Sequence, residues 1–275
     1  MGFSSKALFY TSVDRSLFLL RLDKYYRRVS GPAMLILSLE VELEIMDAEG
    51  KSHFSHSLLV PAGVPIKIKS NCSKVAIYFL KAGGADVKKL NPLMNNHFIV
   101  DKQTTLSSNV RFERELIENA KIVWKERPEV DQVLNQFQRW INAFDSLYNK
   151  PIHSETDARV LKIIELIKAD CTANLPVSEM AKEARLSTSR LSQLFREATG
   201  ASIRRYRLWE RVFYVARCLQ SGMSLTEAAV AAGFSDYGQC FRAYKDLGGC
   251  HPAKTNNKTE IRAIATNMLT VLEIS

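Results

Sequence analysis

The chain has 275 residues, 46% of them apolar and 24% charged, proportions that suit packed cores and exclude a disordered or fibrous protein. Its net charge of +9 favours an anionic partner, but the excess of Lys and Arg is shared almost evenly across residue 156, so total charge alone selects no function. Cys72, Cys171, Cys218, Cys240 and Cys250 are widely spaced without a C-x-x-C pair, which argues against a disulfide framework or a zinc site; with no signal segment and no apolar run of membrane length, a cytoplasmic chain is expected.

From Leu17 to about Leu80 the apolar period is two. Leu39, Val41, Leu43 and Ile45 alternate with Ser38, Glu40, Glu42 and Glu44, which predicts one strand with a buried face and a wet face. Asp47-Ala48-Glu49-Gly50 turns the chain into a returning strand through Phe54, His56, Leu58 and Val60. After Pro61-Ala62-Gly63, Val64, Ile66 and Ile68 alternate with Pro65, Lys67 and Lys69, and Val75 to Leu80 form a continuous apolar strand. Short strands with regular turns predict a β-barrel or sandwich. Glu40, Glu42 and Glu44 would share a face and could suggest a metal or an acid catalyst, but Lys67 and Lys69 offer them cross-strand partners. His53 and His56 are spaced so that a strand points them to opposite faces, so no metal and no cofactor is expected.

Residues 81–106, rich in Gly, Asn and Lys at first, read as a loop. From Asn109 the period becomes helical, with Phe112, Leu116, Ile117, Ala120 and Val123 on one stripe that ends near Arg127-Pro128. A longer stripe follows over 129–148. Its aromatic content exceeds what covering a sheet needs, so Phe137, Trp140, Ile141 and Phe144 are a candidate homodimer contact, with packing inside the domain as the alternative. Asn149-Lys150-Pro151 breaks that helix, which bounds an N-terminal domain at 1–150 and a linker at 151–156. Thr156 or Asp157 then caps a helix to about Ala169 with Val160, Ile163, Ile164 and Ile167 inward.

The remainder says one thing twice. Glu179-Met180-Ala181-Lys182-Glu183-Ala184-Arg185-Leu186-Ser187 is echoed 48 residues later by Glu227-Ala228-Ala229-Val230-Ala231-Ala232-Gly233-Phe234-Ser235. Two units are too few for a solenoid, and each reads as short helix, tight turn and second helix. Ala181, Ala184, Ala228, Ala229 and Ala232 allow a close crossing, and Ser187 and Ser235 are the expected caps of the second helices. With Leu191, Leu194, Phe195, Cys240 and Tyr244 inward, the outward set is Ser189, Arg190, Ser192, Gln193 and Arg196 in the first copy. In the second it is Tyr237, Gly238, Phe241, Arg242 and Lys245. Between the copies, Ile203 to Leu219 predict a helix on the order of 25 Å long, comparable with the roughly 34 Å between successive major grooves on one face of DNA. Seven arginines from Arg190 to Arg217 oppose only Glu197 and Glu210, a patch that suits phosphate.

Leu186-Ser187, Leu194-Phe195-Arg196-Glu197-Ala198-Thr199-Gly200, Ala232-Gly233-Phe234-Ser235-Asp236 and Gly249-Cys250-His251-Pro252 make the region from about Val160 to Pro252 resemble the DNA-binding domain of the AraC/XylS family of bacterial transcription regulators. The resemblance implies sequence-specific binding of double-stranded DNA through both modules, with Gln193 and Arg242 at positions that approach bases. It also implies a cupin-like N-terminal arm, resembled more weakly, that takes a small-molecule effector or forms a homodimer. As an activator the protein would also touch RNA polymerase. The departures are His251 in place of the family Ser, Thr255-Asn256 in place of an aromatic-Arg pair, and a reversed order at Cys240 and Phe241, which reads as a second module weakened in base contact.

The expected architecture is therefore α+β. A cupin-like β-barrel or sandwich with two appended helices at about 108–148 fills 1–150, an all-α double helix-turn-helix domain with a linker helix fills 157–252, and residues 253–275 are an extension that reads as weakly helical over Ile261–Ile274. Two other readings remain: a family member regulated by protein contacts with no ligand pocket, and a cupin-like enzyme carrying a DNA-binding domain.

Overall fold

Alternating apolar residues give strands, and the chain passes from one sheet to another where the alternation loses its hydrogen-bonding partner. The structure, a computed structural model, describes residues 7–11, 15–22, 24–29, 31–80, 85–101, 104–147, 156–247 and 259–263. In chain order these form β1 (Ala7–Thr11), β2 (Ser16–Arg21), β3 (Tyr25–Val29), β4 (Met34–Ser38), β5 (Leu43–Met46), β6 (Ser52–Ser55), β7 (Ser57–Val60), β8 (Pro65–Lys69), β9 (Lys74–Phe79), α1 (Ala85–Leu90), β10 (Met94–Asp101), β11 (Thr104–Val110), α2 (Glu113–Glu126) and α3 (Val130–Leu147). The helical part then comprises α4 (Ala158–Ala169), α5 (Val177–Glu183), α6 (Thr188–Thr199), α7 (Ile203–Gln220), α8 (Leu225–Ala231) and α9 (Tyr237–Leu247), and a last strand, β12 (Thr259–Ala263), follows.

The described strands make an eight-stranded sheet in the order β10-β11-β7-β4-β9-β2-β1-β12 and a four-stranded sheet in the order β3-β8-β5-β6. Both faces of the larger sheet are buried. Leu8, Tyr10, Leu17, Leu35, Leu37 and Tyr78 point to one side, under α2 and α3. Phe9, Phe18, Leu20, Ile36, Ile77 and Phe79 point to the other, against the smaller sheet and α7. Double-sided burial explains why β9 is apolar at every position from Val75 to Phe79 instead of alternating.

Four expectations are corrected here. The predicted strand through Leu39, Val41, Leu43 and Ile45 is broken at residues 39–42, because β4 belongs to the larger sheet and β5 to the smaller. Val41 is exposed at the crossing, and the Ser38 hydroxyl donates to the Val41 carbonyl at 2.5 Å to hold the bend. The segment read as a loop over 81–106 contains α1 and most of the β10–β11 hairpin, whose polar Asn95, Asn96 and His97 lie on exposed positions of an edge strand. The stripe on α3 is spent inside its own domain: Phe137 stacks on Tyr78 at 4.1 Å, Phe137 and Ile141 are buried, and Trp140 packs against the same cluster. Phe137 and Ile141 are therefore taken up by their own domain, Trp140 is half-buried, and the side chain of Phe144 lies outside the described residues. Finally, the described part of the expected helix over 261–274 is strand, and the linker 151–155 with most of the extension also lies outside the described residues.

The acidic and histidine side chains of the strands have structural partners. Lys69 donates to Glu44 at 2.6 Å and holds its carboxyl below the usual range, while Glu40 pairs with Arg21 and Lys74. His53 bonds Asp47 at 2.7 Å and stacks on Phe98, and His56 approaches the Ser38 carbonyl at 3.2 Å.

The β-domain and the helical domain share a core. Phe213 of α7 stacks on Phe9 of β1 with ring centroids 5.7 Å apart and meets Phe79 edge-on, and Trp209 lies 4.8 Å from Phe79. Removing Trp209 and Phe213 from water stabilises this seam by roughly 1.5–3 kcal/mol for each side chain. Arg205 of α7 donates to the Val29 carbonyl of β3 at 2.7 Å. At the far end the turn at Gly63 meets the helix end at Gly200, so close that a Cβ on Gly63 would lie 2.5 Å from the Gly200 carbonyl oxygen.

This contact generates a paired prediction. Gly50 and Gly63 both have positive φ, but space around Gly50 is open. In urea denaturation Gly50→Ala should cost about 1–2 kcal/mol for its left-handed backbone alone, and Gly63→Ala about 1–3 kcal/mol more from the clash. Equal losses would contradict the domain contact.

Candidate nucleic-acid interface

A helix-turn-helix requires its two helices to cross closely and its turn to leave the first helix sharply. In both copies the small residues meet the first need: Ala181, Ala184, Ala228, Ala229 and Ala232 are buried. The second need is met by one left-handed residue at the same place in each repeat, Arg185 with φ 52° and Gly233 with φ 77°. Each is followed by the same closing bond, from Leu186 N–H to the Ala181 carbonyl and from Phe234 N–H to the Ala229 carbonyl. Glycine is obligatory only in the second copy, where a Cβ on Gly233 would lie 2.9 Å from the Thr172 carbonyl oxygen.

The first module keeps the arrangement read from the sequence. Ser187 caps α6 by accepting from Arg190 N–H at 3.2 Å. Leu191 and Phe195 are fully buried, and Ser189, Arg190, Ser192, Gln193 and Arg196 are exposed together on the opposite side. Two of these polar side chains form a chain along the helix with Glu197: Arg190 donates to the Gln193 amide oxygen at 3.1 Å, and Gln193 donates to Glu197 at 2.8 Å. The helix ahead of the module is also as expected, with Asp157 accepting from Arg159 N–H and Val160, Ile163, Ile164 and Ile167 buried against α6. The first turn of α5 is preceded by Pro176.

The second module departs from its reading at the cap. Asp236, not Ser235, caps α9, accepting from Gln239 N–H at 2.8 Å, and the Gln239 side chain returns to accept from Ser235 N–H at 2.9 Å. The signal was present as Asp236 followed three residues later by Gln239, the spacing of a capping box. The Gln239 N–H and the Ser235 hydroxyl hold the Asp236 carboxyl below its usual range, so a carboxylate already occupies the positive end of this helix. A phosphate is better received at the Ser187-capped end of α6. On the outward side Arg242 is exposed, while Tyr237, Gly238 and Phe241 are half-buried, with Tyr237 and Phe241 6.0 Å apart. Cys240 is fully buried, and burial pushes its thiol up to about 11. The side chains of Tyr244 and Lys245 lie outside the described residues.

The arginine patch divides in two. Arg190, Arg196 and Arg204 are exposed. Arg211 is buried and donates to the carbonyls of Cys171, Thr172 and Gly233 and to the Asn174 side chain, all within 3.1 Å. It thereby ties the loop before the first module to the turn of the second. Arg207 donates to the Leu175 carbonyl at 2.7 Å, Arg205 bridges to β3, and Arg217 lies over the Tyr214 ring. These four hold the domain together and are not a phosphate surface.

Two capped helix-turn-helix modules on one shared helix, abutting a two-sheet β-domain, define a double helix-turn-helix protein. Residues 180–258 match a family described as "Helix-turn-helix domain". The Msm operon regulatory protein of Streptococcus mutans serotype c is 30% identical over 115 residues, which are 42% of this chain and 41% of that protein, so the chain spans about two fifths of the length of that curated relative. Apo ToxT K231A from Vibrio cholerae is similar across both domains, with a TM-score of 0.60 and 14% identity over 89% of this chain and 97% of that one. Wild-type ToxT bound to an unsaturated fatty acid gives 0.55 and 15% over 94% and 98%. At these identities the ToxT likeness establishes the fold, a cupin-like β-domain followed by the paired modules. Residues 180–258 thus hold a helix-turn-helix domain, in keeping with the resemblance of this region to the AraC/XylS family.

The division of the arginines is testable in denaturant. Arg211→Met, which strands several buried carbonyls, should lose about 2–4 kcal/mol, whereas Arg190→Ala should stay within about 0.5 kcal/mol of the parent. A stable Arg211→Met would show that the bracket is dispensable.

Proposed function

We propose that the chain is a sequence-specific DNA-binding transcription regulator that acts as an activator. The observation that carries this reading is the coincidence, on α6, of a neutral cap, a buried inner row and an exposed outer row of Ser189, Arg190, Ser192, Gln193 and Arg196. Arg190, Arg196 and Ser187 are assigned to phosphate, and Gln193 to a base edge, where a side-chain amide pairs with adenine. Ser192 and Ser189 fill the groove between them. In the second module Arg242 is the base-reading candidate, with Ser235, Tyr237, Gly238, Phe241 and Lys245 around it, and the Asp236 carboxylate favours a smaller phosphate contribution there. RNA polymerase is the partner an activator must reach, and work on DNA would place the protein in the cytoplasm.

The β-domain is proposed to bind an effector, to form a homodimer, or both. A second reading, control by protein contacts without a ligand pocket, is favoured by the close filling between the two sheets, where Leu20, Ile36, Leu43, Val60, Ile68 and Ile77 are buried in one cluster that continues into α7. In either case the signal reaches the modules through the seam of Phe9, Phe79, Trp209 and Phe213.

The test is selection of duplexes from a random library with the full chain, followed by titration against salt. With about six phosphates engaged, log affinity should fall against log salt with a slope near −5. Salt-insensitive binding, or selection that returns no preferred duplex, would contradict the proposal. Gln193→Ala and Arg242→Ala should each relax preference at one position by about 1–3 kcal/mol; an equal loss on selected and random duplexes would assign that residue to phosphate.

A further inference from the structure

The strand that follows the second module does not stay with it. β12 returns to the β-domain and pairs in parallel with β1, Ala7 with Thr259, Leu8 with Glu260, Phe9 with Ile261, Tyr10 with Arg262 and Thr11 with Ala263. Without it β1 would be the edge of the larger sheet, presenting a row of unpaired backbone groups. β12 also lies against α7, the helix whose Phe213 stacks on Phe9 of the same β1. One short strand therefore bridges sheet and linker helix beside the aromatic seam, and it is joined to α9 through residues 248–258.

We propose that residues 259–263 are a strap that holds the helix-turn-helix domain on the β-domain and opposes DNA binding until it is released. The opposition follows from what surrounds α9. α7 and α8 pack on its inner side, and β3 lies alongside it as well. A major groove about 12 Å wide is filled by a helix of about 10–12 Å diameter, so a strand flanking that helix meets the wall of the groove. The modules must move from β3 for both to engage one duplex, and that movement draws α7 from the seam and β12 from β1. The strap needs no partner chain to close. Its tether keeps it at high effective concentration near β1, so pairing reforms when the duplex leaves.

The proposal rests on the DNA-reading function above, and the experiment separates the two. Hydrogen exchange on the full chain, on a chain ending at Lys258 and on a Glu260→Pro, Ile261→Pro double variant needs no DNA. Loss of the strap should speed exchange in both β1 and α7, since one of two adjacent prolines must remove a ladder donor. Unchanged exchange in β1 and α7 would overturn the strap whatever the chain binds.

The second arm uses a duplex selected with the parent chain. Both variants should bind it more tightly, on the order of tenfold. A lock covers the case in which a strapless chain fails to fold. Thr11→Cys with Ala263→Cys joins register partners across the strand pair, where neighbouring strands run about 4.7–4.9 Å apart and a disulfide spans Cα atoms about 4.4–6.8 Å apart, in a Cys72→Ser, Cys250→Ser background. The oxidised form should bind the duplex more weakly, on the order of tenfold, and reductant should restore it. Equal affinity before and after reduction, in a parent that does bind, would overturn the strap as an opponent of DNA binding and leave the DNA-reading function standing.

Discussion

The shared face of α7 is the constraint on which the molecule depends. A helix that only joined two DNA-reading modules would need one apolar stripe, for the modules themselves. Here Tyr206, Val215, Ala216 and Cys218 serve the helical domain, while Trp209 and Phe213 are given to the β-domain, meeting Phe9 and Phe79. A helix buried on two sides keeps few positions for water, which is why so many of its arginines end on backbone carbonyls. A buried guanidinium is tolerable only when its donors are satisfied, and Arg211 satisfies them on three carbonyls and one amide.

From that helix the modules hang with unequal exposure to solvent and unequal charge at their second helices. The first has a neutral serine cap and a polar outer row free of the domain core. The second carries its own carboxylate at the helix start and rests beside β3. The two repeats therefore share a backbone, down to the left-handed residue and the closing bond of the turn, and differ in the electrostatics a duplex would meet. Duplication preserved the part of the unit that packing dictates.

What could be read from the sequence follows the same line. The crossing alanines, the Ser187 cap, the α4 stripe and the inward row of α6 were legible because local spacing determines them. So was β9, whose unbroken apolar run needs cover on both faces. The break between β4 and β5 was not, since Leu39 to Ile45 alternate without interruption and only the pairing of β5 with β8 and β6 moves it to a second sheet. β10 was hidden by the Asn residues that an edge strand tolerates. Phe137 and Ile141 have the same pattern whether the cover is a neighbour or the chain's own sheet. Arg205, Arg207 and Arg211 lie among exposed arginines in sequence and separate from them only through carbonyls contributed by distant segments. The Asp236 cap is local too, since Asp236 and Gln239 have capping-box spacing, but it lies one residue beyond Ser235, the position that answers Ser187 in the repeat.

If α7 is core to both domains, the two cannot melt independently. Differential scanning calorimetry of the full chain tests this most directly. The account predicts one endotherm whose calorimetric and van't Hoff enthalpies agree, and a Phe213→Ala variant in which the whole transition moves to lower temperature. Two resolved endotherms in the parent, with Phe213→Ala shifting only one of them, would contradict it.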